Sequence, residues 1–201
     1  MKKKWMKWAA LLLAMVMALL LTACGKEDTS SAAEIQRQYS LIATAQMEAE
    51  LTYHSGGEER CFTLQCNYTP EKSEVTVTAP ETVAGVSATV TGEELTLHYE
   101  GESASVGDKS GLSPLAALPQ MLRAVGTGYL LEEGSETLGD IPCCRLKVDT
   151  TMGGEGVQCS VWIDEATLLP RYCEFSTDGE TVMSMNMLAF SCTLQEENAE
   201  E

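Results

Sequence analysis

Eight cysteines are the most reactive side chains of this 201-residue chain, and their spacing limits the chemistry open to them. Zinc knuckles need C-x2-C-type pairs and thiol redox centres a C-x-x-C motif, and the sequence contains neither. Cys143 and Cys144 are adjacent, so on a strand they face opposite ways; Cys61 and Cys66, an odd number of residues apart, do the same. With Cys24 set aside, Cys61, Cys66, Cys143, Cys144, Cys159, Cys173 and Cys192 remain. An odd number cannot all pair within one chain, so at least one is a free thiol or pairs with another molecule. The stretch CSVWIDEATLLPRYCEF, residues 159 to 175, holds the most suggestive pair, since two alternating apolar runs flank an acidic turn. A turn centred on Ala166 would set Cys159 directly opposite Cys173, with Cα atoms about 4.5 to 5.5 Å apart, within disulfide range. Closing that loop of about 15 residues would stabilise by roughly 3 kcal/mol in the chain-entropy model. A bridge and two buried, reduced thiols are both open on this reading.

Other reactive groups lack the partners that chemistry needs. His54 and His98 sit at the ends of strand patterns with no ligand motif beside them, and read as satisfied or exposed strand residues. Glu58-Glu59 and Glu132-Glu133 read as solvated loop charges and not as an acid/base pair. The sequence contains no G-x-S-x-G, H-E-x-x-H, P-loop or G-x-G-x-x-G motif. The run Gly107 to Gly111, GDKSG, lacks the upstream glycine spacing of a P-loop and reads as a loop. The expectation is a protein without catalytic residues, metal or cofactor.

The N-terminus says where such a protein works. A basic MKKKWMK leads into an apolar run ending in small residues at Ala23, the layout of a secretory signal peptide. The apolar run from Ala9 to Ala23 is shorter than the roughly 20 residues that span a bilayer. Leu21-Thr22-Ala23-Cys24 resembles the lipobox of bacterial lipoproteins. That resemblance implies cleavage before Cys24 and diacylation of its sulfur, and so a lipid-anchored protein on the extracytoplasmic face of the cell membrane. Residues 1–23 are then the signal, 24–31 the lipidated cysteine and a polar tether, 32–194 one folded domain, and 195–201 an acidic tail. Four of the 13 basic residues leave with the signal, so 9 basic against 30 acidic residues give a mature net charge of −21. Nucleic-acid binding normally needs a basic patch, so nucleic acid is excluded as a partner. Membrane attachment falls to the acyl chains.

Hydropathy periods supply the elements. Ser31 and Glu34 form an S-x-x-E capping box, and Ile35, Tyr39, Ile42 and Gln46 follow at helical spacing, predicting a helix over about 32–45. From Met47 the period becomes two. MEAELTYHS and RCFTLQCNY flank a four-residue GGEE loop, and EVTVTA, SATVT, ELTLHYE and SASVG continue the series. Ser113-Pro114 opens a helix carrying Leu115, Leu118, Leu122 and Val125, with a kink or break expected at Pro119. The strand pattern then resumes through GYLLEEGS, PCCRLKVDT, GVQCSVWID, PRYCEFST and TVMSMNMLAFSC. The sum is an α+β chain, mostly antiparallel β, with about eleven strands in a meander and two helices.

The order of these elements, with the hairpin Val161-Trp162-Ile163-Asp164, Thr167, Leu169-Pro170-Arg171 and Glu174-Phe175, resembles the lipoprotein-carrier superfamily that includes LolA, LppX, LprG and RseB. The resemblance implies an unclosed half-barrel with helices across its concave side and an apolar cavity between them. In several members that cavity holds acyl chains; others bind a protein partner, as certain spore-germination lipoproteins of similar fold do. Leu115, Leu118, Met121, Leu122 and Val125 on the mid-chain helix would line such a cavity, with Leu146, Val148, Val161, Ile163 and Phe175 on strands. Met183, Met185 and Met187 form a stripe on the last strand suited to adaptable apolar surfaces. Alternation alone does not separate a cavity from a filled core. An open cavity under the helix would fit a lipid or lipidated ligand. A packed interior with an exposed apolar patch would fit a cell-envelope protein partner.

Overall fold

The computed structural model describes residues 32–92, 94–107, 112–152 and 155–195. The signal segment, Cys24, Ser31 of the capping box, the loop 108–111 and the tail from residue 196 lie outside the described residues. The strands are β1 (Ile42–Ser55), β2 (Glu58–Tyr68), β3 (Ser73–Ala79), β4 (Ser87–Thr91), β5 (Glu94–Tyr99), β6 (Glu102–Gly107), β7 (Tyr129–Leu138), β8 (Ile141–Met152), β9 (Glu155–Asp164), β10 (Pro170–Thr177) and β11 (Glu180–Leu194). Two helices, α1 (Ala32–Ser40) and α2 (Ala117–Thr127), accompany them, with a 3-10 turn over Pro114–Ala116.

All eleven strands form one antiparallel sheet in the order β6-β5-β4-β3-β2-β1-β11-β10-β9-β8-β7. This is not the single meander expected from the hairpin signals. Two meanders, β1 to β6 and β7 to β11, are sewn together by the β1–β11 pair, from Ile42↔Leu194 to Tyr53↔Met183. Local turn residues carry no information about a pairing so distant in sequence, which is why sequence reading missed it. β6 and β7 are left as unpaired edges, so the half-barrel is unclosed. The chain leaving one edge must reach the other, and the 3-10 turn and α2 make that crossing over the concave face.

The first helix is shorter than predicted. It ends at Ser40, whose Oγ donates to the Arg37 carbonyl at 2.7 Å, and the strand starts at Ile42. Beyond Ala45 the alternation of buried Met47, Ala49 and Leu51 with exposed Gln46 and Glu50 suits a half-buried strand, and pairing with β11 extends that strand back to Ile42. Turns are also tighter than expected. Gly56 (φ +62°) and Gly57 (φ +82°) make a two-residue type I′ turn, so Glu58 and Glu59 belong to β2 and not to a loop. The break expected at Pro119 falls upstream, between the 3-10 turn and α2. Pro119 then lies in the first turn of α2, where its missing N–H had no helical partner to lose. Ser113 does begin the 3-10 turn, its carbonyl accepting from Ala116 N at 2.9 Å, but its hydroxyl makes no cap bond.

The helices touch each other and the sheet through glycine. A Cβ on Gly126 would lie 3.0 to 3.1 Å from the backbone of Tyr39 and Ser40 in α1. A Cβ on Gly128 would collide with the Ala124 carbonyl and press on Val148 of β8 at 3.1 Å. Gly128→Ala should therefore destabilise the domain by about 1–3 kcal/mol, the range for overpacked sites. The check is a lower denaturant midpoint at unchanged slope; an unchanged midpoint would refute the close approach.

Candidate functional site

The concave face is the part of the molecule with both an unusual chemistry and a cover. Positions 118, 121, 122 and 125 share one side of α2, the i, i+3, i+4, i+7 pattern of an amphipathic helix. That side meets alternate residues of β8 and β9. The structure brings all ten candidate residues into one apolar interior: Leu115 from the 3-10 turn, Leu118, Met121, Leu122 and Val125 from α2, Leu146 and Val148 from β8, Val161 and Ile163 from β9, and Phe175 from β10. Leu115 is 9% exposed, Leu122 2% and the remaining eight 0%. Met183 and Met185 complete the wall, while Met187 is half-buried at its margin. Among the described residues only Ser73, Ser160 and Asp164 are buried polar groups. Strand alternation places Ser160 and Asp164 on the outer face and leaves Ser73 as the polar group on the inner one.

A few polar bonds fasten the helical cover. Gln36 Nε2 donates to the Gly128 carbonyl at 3.0 Å, and the backbone N–H of Ala32 donates to Glu133 Oε1 at 3.0 Å. The Tyr39 hydroxyl donates to the Leu168 carbonyl at 3.0 Å, while its ring stacks on Phe190 at 6.5 Å. Burial first, then the nearby Cys192, pushes the Tyr39 phenol far above its ordinary pKa, so it acts purely as a neutral donor. Arg123 of α2 donates to the Gly92 carbonyl.

The interior is filled in this conformation. The best-formed depressions, of 370, 420 and 380 Å³, are open troughs centred on β1 and β2, and no residue of α2 lines any of them. Their exposed lining includes Thr44, Gln46, Glu50, Gln65, Asn67 and Asn186.

Cys159 and Cys173 lie in the wall of the interior, but in a register different from the expected one. An irregularity between Pro170 and Tyr172 sets Cys173 opposite Val161 and Phe175 opposite Cys159. The two sulfurs meet diagonally at 3.5 Å as free thiols. Burial, with the neighbouring Cys159 second, raises the Cys173 pKa well above its ordinary value. Burial likewise pushes Cys66 to about 12 and Cys144 to about 11. A thiol without its thiolate is a poor nucleophile, so these are packing groups as they stand. Cys61 and Cys192 are exposed. Among the described residues no three His, Cys, Asp or Glu side chains gather as a metal site would require. His98 has both ring nitrogens occupied, by Thr89 Oγ1 at 3.0 Å and Ser103 Oγ at 2.9 Å, and His54 lies 3.5 Å from Glu59.

The VWID…T.LPR pattern turns out to be a clasp. Asp164 Oδ1 accepts from the backbone N–H of Ala166 (2.9 Å) and Thr167 (3.1 Å). Its Oδ2 accepts both Nε (3.2 Å) and an Nη (2.7 Å) of Arg171. One carboxylate thus ties the turn and the returning strand together in a fork geometry that lysine could not reproduce. Outside this clasp, the outer face carries a cluster that sequence reading did not find. Arg145 pairs with Glu132 (3.2 Å) and Glu136 (2.8 Å) and sits 5.9 Å over the Trp162 ring. Trp162 Nε1 donates to Glu136 at 2.8 Å, and its ring meets that of Tyr172 at 5.2 Å. Glu132 and Glu133 are therefore strand residues with partners, not loop charges. The five residues come from four strands, and no spacing in the sequence signals them.

No protein-family model matches the chain, and no curated protein does. Solved structures do resemble it. An uncharacterized conserved protein from Thermus thermophilus shares 15% identity at TM-score 0.51, over 83% of this chain and 90% of that one. A DUF1329 family protein from Desulfovibrio piger gives 15% and 0.50, over 88% and 96%. A domain described as that of an outer membrane lipoprotein-sorting protein, from Vibrio parahaemolyticus, gives 11% and 0.50, again over 88% and 96%. At such identities the likeness concerns the fold alone. The fold they share with this chain is an unclosed antiparallel half-barrel with helices.

The Asp164 clasp predicts an acid-sensitive hairpin. The hydrogen bonds from Arg171 first, and then those of the turn, hold the Asp164 carboxyl below the usual carboxylate range. A depressed folded-state pKa contributes stability that is present above the unfolded pKa of about 4 and lost as pH falls through the folded value. Asp164→Asn should lower stability at neutral pH and flatten the decline below about pH 4. Parallel acid-side unfolding curves for the two proteins would refute it.

Proposed function

We propose that the protein is a membrane-tethered extracytoplasmic lipoprotein, anchored through acylated Cys24, that binds an acyl chain of a lipid or lipidated ligand between α2 and the concave face. It is a binding protein without catalytic residues. One observation carries this reading: the buried part of the inner face is apolar, Ser73 excepted, and a helix pair covers it, fastened to the sheet through Glu133 and Gly128. The LolA-like fold supports it. Because the interior is filled, a chain enters by lifting α1 and α2, and the flexible Met183 and Met185 side chains re-pack around it.

The filled interior favours a second reading, a protein-interaction or regulatory lipoprotein that acts on a cell-envelope enzyme or sensor, as in spore germination. The two readings separate by native mass spectrometry of the detergent-released full-length protein. Acyl binding predicts co-purifying lipid masses that vanish in Leu118→Gln and Leu122→Gln. Gln36→Ala, which frees one fastening of the cover at a cost of about 1 kcal/mol, should instead speed lipid exchange. A clean apo protein in both wild type and Gln36→Ala, with a stoichiometric protein partner, would overturn the lipid reading.

The proposal extends to the wall of the site. Outside the cytoplasm, a thiol-disulfide oxidant that takes two electrons from Cys159 and Cys173, with loss of both S–H protons, would close their 3.5 Å separation to a bond of about 2.05 Å and staple β9 to β10 beneath the ligand. Non-reducing peptide mapping of the membrane-extracted protein should return the two residues in one cross-linked peptide. Recovery of both as free thiols sinks this pairing.

A further inference from the structure

Among the described residues, exposed large apolar side chains are few, and two of them, Tyr129 (75% exposed) and Leu131 (41%), share the unpaired edge strand β7. Isolated exposed apolar residues need no explanation, but this pair has a distinctive address. The backbone N–H of Ala32, at the start of α1, is bonded to Glu133 of the same strand. α1 then runs back along the edge, with Gln36 bonded to the carbonyl of Gly128, next to Tyr129. Tyr129 is four strand residues from Glu133, about 13 Å away. Residues 24–31 can span at most about 26–29 Å when fully extended. A lipid anchor on Cys24 therefore holds the β7 edge within reach of the bilayer surface.

We infer that the β7 edge, through Tyr129 and Leu131, is the surface this protein lays against the membrane that anchors it, its partner being the zwitterionic headgroup layer. This rests on the reading of Cys24 as a lipidated N-terminus. Tyrosine suits that layer because its ring partitions toward the acyl boundary while its hydroxyl stays hydrated. The local charge does not oppose the contact as strongly as the net charge implies. Glu132 and Glu136 are paired with Arg145, and Glu133 accepts the Ala32 N–H. Lys147 and Asp149 on β8 face Glu132 and Tyr129 in register and offset each other. With this edge down, the seam between α1 and β7 faces the bilayer, so an acyl chain leaving the membrane meets the helical cover at its two fastenings to the edge.

The test uses the full-length lipidated protein in phosphatidylcholine vesicles with brominated acyl chains, which quench tryptophan on contact. Tyr129→Trp and Leu131→Trp add a reporter at the edge, and Leu188→Trp, at a 53% exposed position on β11, adds one in mid-sheet. Wild-type emission is the common background. The edge reporters should be quenched several-fold more than the one at 188. Equal quenching at 129 and 188, or none at 129 in protein whose intact mass carries the acyl groups, overturns the contact. Concentration-dependent dimerisation through β7 would overturn it too, since a second copy would then cover the edge. Membrane-extracted protein with an unmodified Cys24 would remove both this inference and the tether. Lipid binding is read separately on detergent-released protein, so the two failures are distinguishable.

Discussion

The pairing of β1 with β11 is the constraint on which the rest of the molecule depends. It joins two meanders into one sheet and places the strands nearest the two ends of the domain at its centre. β6 and β7 are thereby forced to the outside, and the chain between them has to cross the whole concave face. A crossing segment over an apolar surface must satisfy its own backbone and present apolar side chains downward, which an amphipathic helix does. The position of α2, its apolar face and the closeness of Gly126 and Gly128 to their neighbours all follow from that crossing.

The same geometry separates the chemistry of the two faces. Inside, Leu, Val, Met and protonated thiols surround a helix, and burial keeps the sulfurs unreactive. Outside, acidic side chains dominate, relieved locally by Arg145 and Arg171, each of which satisfies carboxylates from a neighbouring strand or turn. Among the described residues, β7 links the outer cluster to the start of α1. It carries the Arg145 partners outward, Glu133 toward α1, and Tyr129 to solvent.

How much could be read in advance varied with the range of the interaction involved. The eleven strands were legible because period-two patterning and glycine turns are written within a few residues. The boundary of α1 was not, because Ile42 fits a helix by spacing and becomes a strand residue only by pairing with β11. The Cys159–Cys173 encounter was half legible: parity put both on one face, but an irregularity beside Pro170 moved the register. The hairpin pattern around Asp164 is visible in the sequence, while its physical content, a carboxylate shared between turn amides and a guanidinium, emerges only in the fold.

By itself the sequence determined what kind of surface each residue could belong to: the apolar faces, the turns, the acidic exterior, and the candidate lipid anchor at Cys24. It determined these because side-chain polarity and turn chemistry act locally. Only the tertiary structure decided that the ten candidate residues form a filled interior, that the motif cysteines meet diagonally, and that Tyr129 shares its edge strand with the Glu133 that binds Ala32. Those outcomes hang on strand order and register, which are set by contacts between residues far apart in the chain, and no local pattern records them.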